Sequence, residues 1–264
     1  MSSAKIFVAG LGLAAIAATS VATQAPPRIG DVTARPRYRA VAFDFLVLFD
    51  PNSVVAAADQ AFPGQGRELT QLWRTRQFEY TWLRSITGSY VDFAAVTRDS
   101  LVYAANAMQL DLTTERKQRL LDAYLHLRPW PDAADALRQL REHGVRLITL
   151  ANFSPKMLRA NTDNAGVTGL FDGLISTDAN RTYKPDRRAY RLGTERLHLS
   201  KQEILFAAFA GWDAAGAKAF GYPTVWVNRF HQPAEELGVR PDHVLADLSG
   251  VLALVLGDVP SRPR

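Results

Sequence analysis

Short apolar runs alternate with amphipathic stretches along most of this chain. Ala40-Val-Ala-Phe43, Val145–Ala151, Gly173–Thr177, Ile204–Ala208 and Thr224–Asn228 are brief and bounded by polar or turn residues, which predicts buried strands. Between and beside the later runs, Asp132–His143, Pro155–Ala165, Arg187–Leu197 and Ala214–Phe220 repeat their apolar positions with helical period. Ser154 before Pro155 predicts an N-cap with proline in the first turn, and Gly144 and Gly221 stand where helices should stop. Strands alternating with helices predict an α/β fold with a doubly wound parallel sheet, whose functional groups belong at the carboxyl ends of the strands. From Val54 to Leu127 the period is helical throughout, with no convincing strand. This interval reads as an insert, a helical cap domain over 51–127 folded across the strand ends to exclude water, on a core formed by 40–50 and 128–257.

Composition supports a folded chain: of 264 residues, 47% are hydrophobic and 22% charged, enough to bury a full core. Cysteine is absent, which excludes disulfides, thiolate nucleophiles and Cys-zinc sites. The net charge of +5 lies in the tails: five basic residues against Asp31 in the first 39, and Arg262 and Arg264 against Asp258 in the last seven. With a neutral body there is no basic stripe for a nucleic acid. Lys5 followed by the apolar run Ile6–Ala18, then small residues at Ser20-Val-Ala22 and Thr23-Gln-Ala25, reads as a signal peptide over 1–25. The run is shorter than the roughly 20 residues a spanning helix needs. Export to the bacterial periplasm, without stable membrane insertion once the leader is removed, is therefore expected. Residues 26–39 read as a linker and 258–264 as a flexible tail.

Several residues beyond the strands could carry chemistry. Asp44 ends the first apolar run, as the cap of the following turn, a nucleophile or a metal ligand. Lys184, in Tyr183-Lys-Pro-Asp186, follows the third run and could keep a nearby carboxylate ionised; in isolation it reads equally as a solvated lysine. Asp213 follows Gly211-Trp212 at a helix start, where capping and function compete. Arg74 shares a helical face with Phe78 and Trp82, as a lid or as core packing. Tyr190 alone reads as a core tyrosine. His126, His143, His198, His231 and His243 show no metal-binding spacing, and no metal site is expected.

As an ordered set these residues narrow the choice. Phe43-Asp44 with Leu48-Phe-Asp50, Leu72-Trp-Arg74 through Gln77–Leu83, Leu150-Ala-Asn152 with Ser154-Pro155, Tyr183–Asp186 with Tyr190, and Gly211-Trp-Asp213 with Gly216-Ala217 resemble the type II (S)-2-haloacid dehalogenases of the haloacid dehalogenase superfamily. The resemblance spans about Ala40 to Leu252. It implies a metal-independent, cofactor-free hydrolase: Asp44 attacks the halogen-bearing carbon of a 2-haloacid, halide leaves with inversion, and water hydrolyses the aspartyl ester. It further implies that Arg74 and Asn152 stabilise the halide and that Lys184 binds both the substrate carboxylate and the nucleophile. Tyr190 would support that lysine, Asp213 would position or activate the water, and Trp212 and Phe78 would form apolar wall, with Ala151 beside Asn152 also in the site. A homodimer through the lid is implied too.

The chain departs from that pattern around Asp44. The loop Phe45-Leu46-Val47 is one residue short and lacks the usual threonine, and Ala151, Ala208 and Ala210 stand where hydroxyl or amide side chains are usual. A more apolar pocket is expected. A phosphatase of the superfamily fits less well, since Leu46, Ala151 and a lone Asp213 occupy the places of its second acid, its hydroxyl and its paired magnesium carboxylates. A catalytically silent protein that binds a small carboxylate is the other alternative.

Overall fold

The computed structural model describes residues 36–257; the expected leader, most of the linker and the tail lie outside these residues. Ten α-helices and eight strands are formed among them. Six strands make a parallel sheet in the order β5 (Gly173–Ser176), β4 (Arg146–Ala151), β1 (Ala40–Phe43), β6 (Ile204–Ala208), β7 (Thr224–Val227), β8 (His243–Leu245). Every residue of β1 is buried, as expected for a central strand covered on both faces. Alternation divides the core: Val41, Phe43, Leu147 and Leu205 pack on one face, and Ala40, Ala42, Ile148 and Phe206 on the other.

The five strands expected from the apolar runs are all present. β8 was not expected, because three half-exposed edge residues carry no clear alternation. Nor was α10 (Leu248–Leu256), which is apolar nearly all round and so lacks the amphipathic signature. α6 (Ala133–Glu142), α7 (Pro155–Asn164) and α8 (Arg187–Leu197) match their expected spans, and Ser154 caps α7 through Met157 N–H. α9 (Gly211–Phe220) starts three residues early. Arg37 and Arg39, assigned to the linker, already belong to the fold: their N–H groups donate to Val255 O and Glu203 O at 3.0 and 2.9 Å.

After β1 come α1 (Phe45–Leu48) and β2 (Phe49–Asp50), which pairs antiparallel with β3 (Arg128–Pro129). Between these two short strands lie α2 (Ser53–Ala61), α3 (Gly66–Ile86), α4 (Phe93–Ala107) and α5 (Thr114–Ala123). The insert thus leaves and returns at one point, clamped by the Arg128–Asp50 ion pair at 2.7 Å. Internally, Gln77 Nε2 donates to Thr97 and Gln77 Oε1 accepts from Tyr124, both at 2.9 Å. Against the sheet side, Tyr90 donates to Asp178 at 2.5 Å and Tyr183 to Val91 O at 2.6 Å. Insert and sheet pack as one compact unit.

Candidate active site

The loops after β1, β4, β5 and β6 converge at the carboxyl edge of the sheet, at the point where the strand order reverses around β1. Asp44 directly follows β1. Its Oδ1 accepts Leu46 N–H at 2.9 Å, capping α1, and its Oδ2 accepts Lys184 Nζ at 2.6 Å. Capping and a chemical role therefore coexist in one carboxylate, whose side chain keeps 16% of its surface accessible.

Lys184 is fully buried, and its ammonium bridges Asp44 Oδ2 and Asp213 Oδ2, both at 2.6 Å. The solvated reading is thereby excluded. Burial alone would lower the Lys184 pKa, but Asp213 and Asp44 outweigh it and hold the ammonium above its ordinary value. Two carboxylates share one cation, so one negative charge remains uncompensated. The more deeply buried acid carries the consequence: burial pushes Asp213 up to about 6 against the pull of Lys184, and Asp44 adds to the push.

Asp213 sits in the first turn of α9 but caps nothing, because both its oxygens face the interior. Tyr190 Oη donates to Asp213 Oδ1 at 2.7 Å. The tyrosine therefore supports the aspartate and not, as expected, the lysine. Gly216 makes this approach feasible, since a Cβ there would lie 2.5 Å from Tyr190 Oη.

Asp44 opens onto a cavity of about 40 Å³, walled by Leu46, Phe78, Phe93, Tyr124, Leu127, Phe153, Phe209 and Trp212, with Arg74, Asn152 and Asp213 among its few polar neighbours. Asn152 Oδ1 accepts Lys184 N–H at 2.9 Å and the Thr177 hydroxyl at 3.3 Å. This fixes the amide and leaves Nδ2 without a protein acceptor among the described residues. Arg74 of α3 likewise makes no hydrogen bond or ion pair among them, and burial lowers its pKa. An unpaired guanidinium, an unspent amide donor and a carboxylate thus share one apolar chamber. Such donors hold an anion far more strongly than they would in water.

Lys184, which does not line the cavity, spends two of its three N–H donors on Asp44 and Asp213. Two expectations, those for Ala151 and Tyr190, are corrected by this geometry. Ala151 is buried at the end of β4 in the core, because neighbouring residues of an extended chain point to opposite faces. Tyr190 lies behind Asp213, away from the wall. Asp44, Arg74, Asn152, Asp213, Phe78 and Trp212 all line the cavity. The walls at Phe93, Tyr124, Leu127, Phe153 and Phe209 were missed. Gln77 also lines it and was legible in principle, three residues after Arg74 on the same helical face.

A model of the haloacid dehalogenase-like hydrolases matches residues 38–221. The chain belongs to this family. It is 43% identical to the (S)-2-haloacid dehalogenase of Pseudomonas sp. (strain YL) over 82% of this chain and 94% of that one. To haloacetate dehalogenase H-2 of Moraxella sp. (strain B) the identity is 41%, over 83% and 98% of the two chains. The structure of the L-2-haloacid dehalogenase from Xanthobacter autotrophicus with chloropropionic acid covalently bound superposes with a TM-score of 0.79 at 36% identity, covering 84% of this chain and all of that one. As a haloacid dehalogenase-like hydrolase, the chain carries a six-stranded parallel sheet flanked by helices.

Proposed function

We propose that this protein hydrolyses the carbon–halogen bond of short 2-haloalkanoic acids through a covalent ester on Asp44. One observation carries this reading: a partly accessible carboxylate, held from behind by Lys184, shares an apolar cavity with the unpaired Arg74 and the free Asn152 amide. An Asp44 oxygen lone pair forms the new bond to C2 while the C–X electron pair leaves with the halide. Proximity lets the carboxylate act where dilute hydroxide could not. Alkylation neutralises Asp44, so the surplus negative charge passes to the halide beside Arg74. Arg74 and Asn152 are also donors for the substrate carboxylate, and Lys184 keeps a third N–H beyond its two carboxylate bonds. Water then attacks the Asp44 carbonyl carbon, its proton passing toward Asp213, and the hydroxyacid departs with inverted C2.

Purified enzyme with chloroacetate or (S)-2-chloropropionate, in the presence of a chelator, is expected to release free halide. Because the water step needs ionised Asp213, pushed up to about 6, turnover should fall as pH drops through about 6. Release of phosphate from phosphomonoesters but no halide from any haloacid would favour the phosphatase. Binding of the acids without either product would favour a silent carboxylate-binding protein.

The apolar run after Lys5 supports export to the periplasm. Terminal sequencing should find a mature start near Ala25; an intact Met1 would reject it.

A further inference from the structure

The chamber at Asp44 is small: about 40 Å³ leaves space for only about three water-sized groups. A wider cavity of about 340 Å³ adjoins it, reaching Trp226, Arg229 and Phe230. Arg74, Phe209, Ala210 and Trp212 border both spaces. Ala210 is too short to divide them, and Trp212 is packed edge-on against Phe78 and Trp82, with ring centres 5.6 Å from each. Arg74 also reaches both spaces, and the apolar side chain left to divide them is Phe209. It stands against Phe230 at 5.7 Å, and its carbonyl accepts Trp226 Nε1–H at 3.0 Å. Phe153 closes another wall and cannot recede, because it is buried against Phe45 and Phe93 at 5.0 and 4.9 Å.

We propose that Phe209, together with Phe153, limits the enzyme to two- and three-carbon 2-haloacids, and that the cavity behind Phe209 is a latent subsite for the alkyl tail of longer ones. This rests on the function proposed above. With C2 at Asp44, and the carboxylate and halogen on Arg74 and Asn152, carbons beyond the third meet the rings of Phe153, Phe209 and Trp212 and the side chains of Leu46 and Leu127. A single methylene misfitted to an apolar pocket changes kcat/KM by roughly 10- to 200-fold.

The test compares wild type, Phe209→Ala and the milder Phe209→Leu on chloroacetate, (S)-2-chloropropionate and (S)-2-chlorohexanoate, reading halide release as kcat/KM. Wild type is expected to favour chloroacetate over chlorohexanoate by at least roughly 100-fold. Phe209→Ala should narrow that ratio by at least roughly tenfold, with Phe209→Leu between. Wild type that handles the six-carbon acid as well as chloroacetate would overturn the proposal. So would folded variants in which both rates fall together with the ratio unchanged, the mark of a merely structural ring. No halide from wild type on any of the three acids would instead remove the underlying dehalogenase reading, and the size limit with it.

Discussion

Asp44→Asn is expected to lower halide release by about four orders of magnitude or more, the scale on which enzymes lose turnover with their nucleophile. An amide has no anionic lone pair to offer C2. The same replacement keeps the cap on Leu46 N–H through its carbonyl oxygen, so the fold should persist and the loss should be chemical. The ester makes a second, sharper demand. Because water attacks the aspartyl carbonyl, the oxygen transferred to product comes from Asp44, and solvent oxygen replaces it there. Multiple turnovers in water enriched in oxygen-18, followed by mass spectrometry of the peptide containing residue 44, should therefore show label in wild-type Asp44. Label found only in the hydroxyacid would mean that water attacks C2 directly, and the covalent route would be abandoned. Equal halide release by wild type and Asp44→Asn would exclude the nucleophile altogether.

Much of this arrangement was legible in the sequence because it follows from local pattern. β1 is a bare apolar tetrapeptide ending in aspartate, and a buried strand that stops at a carboxylate delivers it to the carboxyl edge of the sheet. α7 announced itself through Ser154-Pro155. What could not be read was set by packing between distant segments. Phe153 and Phe209 stand next to expected site residues, yet nothing local says that rings from the ends of β4 and β6 enclose one chamber with Tyr124 and Phe93 of the insert. Lys184 and Tyr190 were recognised, but their partners were not: which carboxylate a tyrosine reaches depends on how closely α8 and α9 approach, and Gly216 sets that distance. Of the four positions that lack the usual hydroxyl or amide group, only Ala210 lines the cavity. Val47, Ala151 and Ala208 are buried, and Ala210 borders the cavity without a side-chain donor.

Lys184→Met should cost more stability than any other change at the site, by about 3–5 kcal/mol at neutral pH, the range for breaking a buried ion pair from one side. Methionine preserves the length and apolar stem of lysine but not the charge. Asp44 and Asp213 would then face one another across the space that the ammonium bridges at 2.6 Å on each side, and at least one would have to bind a proton to stay folded. The pH dependence follows in sign. A carboxylate whose folded pKa lies above its unfolded value binds more protons folded than unfolded, so stability falls as pH rises between the two. Asp213 already imposes a slope of this kind in the wild type, between its ordinary 3.8 and about 6. Removing the ammonium should steepen it and extend it upward. Lys184 itself, held above 10.5, contributes constantly below that pH and is lost only as pH rises through its folded value. The gap between variant and wild type in urea denaturation should accordingly widen from pH 4 to pH 8. A gap below about 1 kcal/mol at pH 8, or one equal at both pH values, would show that the two acids do not depend on this cation, since a bridging ammonium cannot be removed without charge-dependent cost.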